Sequence, residues 1–171
     1  MAAISQNEFK RPSWQTVVIF TLAFWLGASL LVDFVMMPSL YTAGMLTQPG
    51  FASAGYSIFW VFNRLELVGA ALALTGSLVL LNTHYLPISR GRTAIILSLL
   101  LLAVALVDTY GLTPHMSALG MQLNLFEPAS EVPNAMNQMH GSYWALEALK
   151  LASAGMLLSL SYRQSPAEAI S

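Results

Sequence analysis

Apolar residues run through this chain in blocks too long and too unbroken for the one-sided helices of a soluble protein. Pro12 to Val32, Leu67 to Ser89 and Thr93 to Val107 contain no charged residue. A further apolar run, Gly141 to Tyr162, is broken by Glu147 and Lys150. A helix needs roughly 20 mostly apolar residues to cross a bilayer core. The pattern predicts four spans, at about 14–40, 56–81, 93–116 and 139–162, with a flexible tail at 163–171. Turn residues separate them: Gly44, Pro49, Gly50 and Gly55 in the first connection, Pro87 in the second, Pro128 and Pro133 in the third. Lys10 and Arg11 precede the first run as they would in a signal peptide. That run is longer than a cleavable apolar segment, so it is expected to stay as the first helix.

Composition agrees. Of 171 residues, 56% are hydrophobic and 9% charged, against about 25% charged in an ordinary soluble domain. With seven basic and eight acidic residues there is no basic stripe for nucleic acid. The absence of cysteine removes disulfides, thiolate metal sites and thiol nucleophiles from consideration. The expected class is all-α: one polytopic four-helix domain over residues 1–171, embedded in a lipid bilayer.

Charge also orients the spans. Lys10, Arg11, Arg90, Arg92 and Arg163 fall on the side of the termini, whereas the loops 42–55 and 117–138 carry Glu127 and Glu131 but no Lys or Arg. The positive-inside rule places both termini in the cytoplasm, or in the stroma for a thylakoid protein; the membrane is otherwise an inner or plasma membrane.

The remaining charges are the candidate chemistry, because a charge within a span costs at least ~2.5–3.5 kcal/mol on insertion scales. Asp33, Arg64, Glu66, Asp108, Glu147 and Lys150, with His115 and His140, all fall in the outer half of the predicted spans. Asp108 and His115 are seven apart, as are His140 and Glu147. Such spacing sets a histidine layer about 10 Å above a carboxylate layer if the faces meet. Glu147 and Lys150 can pair at i,i+3. The same groups could equally serve to lock helices together. Arg64 and Glu66, two apart, do not face each other and could mark the headgroup boundary.

An internal repeat is visible. Leu31-Val32-Asp33 is followed by Pro38, and Leu106-Val107-Asp108 by Pro114, with one extra residue before the second proline. Leu65-Glu66 and Leu146-Glu147 each precede small residues: Gly69 or Ala70, Ala73 and Gly76 in one, Ala154 and Gly155 in the other. The chain thus reads as two hairpins in parallel repeat, with Asp33–Glu66 and Asp108–Glu147 as equivalent pairs. The small residues read as close helix packing.

Met116 and Met139 flank the two histidines, and thioether with imidazole suits a soft metal ion. Methionine also fills gaps at helix ends. Trp14, Trp60, Trp144, Tyr41, Tyr56, Tyr110 and Tyr143 lie near span ends, as an interfacial belt does. A haem held by His115 and His140 is geometrically conceivable. No phosphate loop, nucleophile elbow or His-Glu-x-x-His motif occurs, which leaves enzyme activity open but disfavoured.

Trp25-Leu26-Gly27, Pro38 with Leu40-Tyr41, Ala54-Gly55 with Phe59, Thr113-Pro114 with Met116 and Leu119, and His140-Gly141 together resemble a known family. This is the four-helix membrane family of unknown function related to transmembrane protein 205, in its bacterial members. The resemblance covers roughly 20–160 of the sequence. It implies a four-helix architecture and carries no settled activity. Its human member is associated with resistance to platinum drugs. The charged stretch 146–150 is richer than the family pattern.

Three functions follow. The first is a membrane protein that binds or passes a cation, metal ion or proton, from His115 and His140 to Asp108, Glu147, Asp33 and Glu66. Four helices make a short pathway, so a homo-oligomer is expected. The second is a structural or assembly subunit of a larger membrane complex. The third is a redox protein using haem or a quinone.

Overall fold

The computed structural model describes residues 13–45, 48, 50–126 and 134–163. Lys10, Arg11, Pro49, Pro128, Pro133, Glu127, Glu131 and the tail from 164 lie outside the described residues. The described residues are helical and contain no strand. Helix α1 (Ser13–Leu30) passes through a π turn, Leu31–Met36, into α2 (Met37–Thr42). Helix α3 spans Phe51–Asn82 and α4 spans Ile88–Val107. A second π turn, Asp108–Leu112, leads into α5 (Thr113–Phe126), and α6 spans Asn134–Tyr162.

The long helices pack in a ring, α1 on α3, α3 on α4, α4 on α6 and α6 on α1. Spacing explains the inward faces. Gln15, Val18, Leu22, Trp25 and Ser29 are buried in α1 at alternating steps of three and four, which keeps one stripe on the core. Leu22, Leu101 and Leu157 form the centre with Val18, Ala70, Ala73 and Ala154. The outer surface is apolar instead: Phe20, Phe24, Leu31, Val68, Ile96 and Met156 are all exposed. Thirteen buried polar or charged residues are found among the described ones. Lipid tails are as apolar as leucine, so apolar burial does little to hold such helices together, and close packing with polar contacts does more.

Close packing is visible at the glycines. A Cβ on Gly76 would overlap Val18 Cγ2, and one on Gly69 would come within 3.2 Å of Trp25 Cε3. The predicted small-residue face of α3, Gly69, Ala70, Ala73 and Gly76, is buried as a unit. In α6, Ala154 is buried but Gly155 faces open space.

Among the described residues three helical stretches are long and apolar enough to cross a membrane: Ser13–Thr42, Phe51–Asn82 and Ile88–Gly120. They suggest a lipid bilayer as the environment. Helix α6 falls short of the same apolar standard, although four spans are expected from the sequence. The physical reason is its composition, since Glu147, Lys150, Ser153 and Ser161 make its buried stripe polar.

The two π turns have a local cause. Pro38 and Pro114 each stand second in the helix that follows the turn. Proline has no N–H, and its ring crowds the carbonyl four residues back. The turn widens instead: Met37 N–H reaches Val32 O, and Thr113 N–H reaches Asp108 O, five residues back in each case. Asp33 and Asp108 both lie on these turns and are buried.

Candidate functional site

Glu66 is the hub of the polar interior. Its Oε1 accepts the Trp25 indole N–H at 2.8 Å, the Ser29 hydroxyl at 3.4 Å and the Lys150 ammonium at 2.5 Å. Trp25, Ser29 and Glu66 are buried, so the carboxylate draws on helices α1 and α6 as well as its own α3. Lys150 also pairs with Glu147 Oε2 at 2.5 Å, one turn back on α6. Its ammonium stands 5.8 Å from the centroid of the Phe62 ring, close enough for a cation–π contribution. Asp33 accepts a hydrogen bond from the Tyr143 hydroxyl through Oδ1. Tyr143 meets Phe59 and Trp144 edge to face.

Asp108 differs from the other acids. It is 2% exposed, and its Oδ1 has no hydrogen-bond partner among the described residues. It lies within electrostatic range of Lys150, Glu66 and Asp33. Asp33 Oδ2 and Glu147 Oε1 also lack hydrogen-bond partners among the described residues. Thus four buried carboxyl groups share the helix ring with one buried ammonium, which pairs with two of them, Glu66 and Glu147. A buried carboxylate without donors is costly unless a proton or another cation neutralises it.

The remaining candidates lie elsewhere. Arg64 is exposed: its guanidinium sits 3.4 Å over the Trp60 ring and donates to Trp60 O at 2.9 Å. His115 and His140 are both exposed, and His140 Nδ1 is 2.9 Å from Met136 O in its own helix. Met116 and Met139 are half-buried. Among the described residues no three His, Asp or Glu side chains come together as a metal site would require. The π turn between Asp108 and His115 accounts for part of this. Seven residues make two turns only in an unbroken α-helix, and a wider turn rotates His115 off the face that carries Asp108.

Two of the acids find partners on α6. Asp33 bonds Tyr143, and Glu66 bonds Lys150, so both acids are joined to α6. Three contributing residues were not among the candidate site residues read from the sequence. Trp25 and Ser29 were visible in principle, at i and i+4 before Asp33 on one face. Tyr143 stands four residues before Glu147, although its place near a span end marks it as interfacial.

Polar contacts recur at both ends of the bundle. Asn63 Nδ2 donates to Thr113 Oγ1 at 2.8 Å on the side toward α5. At the opposite end, Gln15 donates to Ser161 O at 2.7 Å and accepts from the Tyr85 hydroxyl at 3.0 Å. Ser77 and Ser98 bond each other at 3.1 Å. These neutral groups escape a search for charges alone, which marks that half of the spans as apolar.

The fold and site define an all-helical, membrane-type protein with a carboxylate–lysine centre inside its helix ring. The chain belongs to the family described as a domain of unknown function, DUF4149, whose pattern matches residues 20–124. Asp33, Glu66 and Asp108 fall within that match; Tyr143, Glu147 and Lys150 lie beyond it. No curated protein and no solved structure matches the chain.

Proposed function

We propose that this is a four-span membrane protein whose carboxylate–lysine centre binds a proton, with Asp108 as the group that takes it up. The carrying observation is the buried Asp108 side chain, whose Oδ1 has no hydrogen-bond partner among the described residues. Glu66 has the opposite surroundings, with three donors on one oxygen, and serves as the fixed anion opposite Lys150. Four ionised carboxylates beside one ammonium would leave three negative charges in excess, so the centre needs bound protons to remain buried.

Helix α6 is the fourth span on this reading. Its 29 residues reach about 43 Å, and its polar stripe faces the ring while Leu149 and Met156 are exposed outside it. Arg90, Arg92 and Arg163, with Lys10 and Arg11, favour cytoplasmic or stromal termini. The recurrence of π turn, buried aspartate and proline in α1–α2 and α4–α5 supports a parallel repeat. Kinship with transmembrane protein 205 rests on the short motifs alone.

Asp108→Asn tests the function. Proton release from the purified protein in micelles is titrated alongside infrared bands of protonated carboxyl groups. The expected result is the loss of about one bound proton and one carboxylic acid band, with helicity unchanged. An unchanged proton count and spectrum would overturn the proposal. A second reading, that the centre only ties helices together, is favoured by the Tyr143–Asp33 and Lys150–Glu66 bonds. It predicts that Asp108→Asn is silent, because Asp108 holds nothing in place.

A further inference from the structure

The interior is layered, and the layers are unequal on the two sides of the centre. Toward α5, polar groups continue outward from Glu66 and Asp108. Asn63 stands one turn from Glu66 on the same buried face, and its amide reaches Thr113, which is half-buried. His115, two residues further, is exposed. On the same side Tyr143, also half-buried, bonds Asp33.

Toward the α3–α4 turn the situation reverses. Ser153 on α6 is buried one turn beyond Lys150, but its hydroxyl donates to Leu149 O of its own helix. The next buried polar groups on α3 and α4 are Ser77 and Ser98, eleven residues from Glu66 and ten from Asp108. At the helical rise that is about 15 Å. The intervening space is filled by Leu22, Ala70, Ala73, Leu101, Ala154 and Leu157, each buried. Beyond it, the Gln15 amide is bonded to Ser161 and Tyr85. A proton moves along hydrogen-bonding groups or water, and a packed aliphatic layer supplies neither.

We infer that the centre exchanges its proton with one membrane face only, through Asn63 and Thr113 at the α5 end, and does not pass it across the bilayer. The inference rests on the proton-binding reading and narrows it from a carrier or channel to a one-sided binding site. The charged and titratable groups around Asp108 are Glu66 on α3, Asp33 on the first π turn, and Glu147, Lys150 and Tyr143 on α6. All lie on the α5 side of the aliphatic layer.

Two measurements test it. In vesicles containing the wild-type chain, an imposed pH gradient followed with a trapped pH-sensitive dye should decay no faster than in vesicles with Asp108→Asn. The chain has no cysteine, so single cysteines report accessibility without a background. Thr113→Cys should react with a charged, membrane-impermeant thiol reagent from one face. Leu101→Cys and Ala73→Cys should react at least tenfold more slowly from either face. Faster gradient decay with wild type than with Asp108→Asn, or rapid modification at residue 101 or 73, would overturn one-sided exchange. The proton reading fails separately, when Asp108→Asn leaves the number of bound protons unchanged. The gradient measurement on the wild-type chain keeps the test decisive if a cysteine variant does not fold.

Discussion

Removing the ammonium of Lys150 is the most informative perturbation of the centre. Its Nζ lies 2.5 Å from both Glu66 Oε1 and Glu147 Oε2, and all three side chains are at most 3% exposed. Lys150→Met keeps the length and apolar stem of the side chain but leaves two carboxyl groups facing each other without a cation. Breaking a buried pair in this way costs about 3–5 kcal/mol when the remaining charge cannot escape. Two effects reduce that value here. The unfolded chain in a membrane or micelle also finds polar partners, and measured interhelical hydrogen bonds average only about 0.6 kcal/mol. A proton can also bind one of the orphaned carboxylates. We therefore expect a loss of about 3 kcal/mol at alkaline pH, shrinking toward about 1 kcal/mol as the pH falls and a proton replaces the ammonium. Glu147→Gln in the Lys150→Met background should recover much of the alkaline loss, since it removes one of the two uncompensated charges. The assay is reversible unfolding of mixed micelles with added sodium dodecyl sulfate, followed by circular dichroism and tryptophan fluorescence. A loss below about 0.5 kcal/mol at alkaline pH, or no recovery in the double variant, would refute the assignment of Lys150 as counter-ion.

Other contacts make independent predictions. Gly76→Ala should destabilise by about 1–3 kcal/mol by overpacking, because its Cβ overlaps Val18 Cγ2; adding Val18→Ala should relieve the loss, as measured by the same unfolding titration. Trp25→Phe removes one of three donors to Glu66 and should cost about 1.5–3 kcal/mol, the range for a hydrogen bond to a charged group. The same unfolding curves check it, and a change under about 0.5 kcal/mol would show that Lys150 and Ser29 suffice to hold the carboxylate.

The individual charges of the centre were legible in the sequence because each falls within a predicted span. Asp33, Glu66, Asp108, Glu147 and Lys150 needed no geometry to stand out, and all five are buried in the helix ring. Arg64 stood out for the same reason yet lies outside, where Trp60 can cover its guanidinium. One-dimensional position gives depth along a helix but not which side faces inward when neighbours are close in sequence. The small-residue face of α3 was also legible, because a stripe at helical spacing has only one face to occupy.

What the chain alone determined is therefore the class and the inventory. Long apolar runs dictate helices suited to lipid, since a backbone in hydrocarbon must satisfy its own hydrogen bonds. The few charges inside those runs dictate where polar chemistry can lie. Tertiary structure decided who meets whom. Prolines at 38 and 114 are accommodated by π turns, which break the 3.6-residue count and part His115 from Asp108. Packing of α6 against the first span brought Tyr143 to Asp33. It also left Asp108 Oδ1 without a partner among the described residues while Glu66 collected three donors, because donors arrive from other helices and sequence spacing along one helix does not encode their approach.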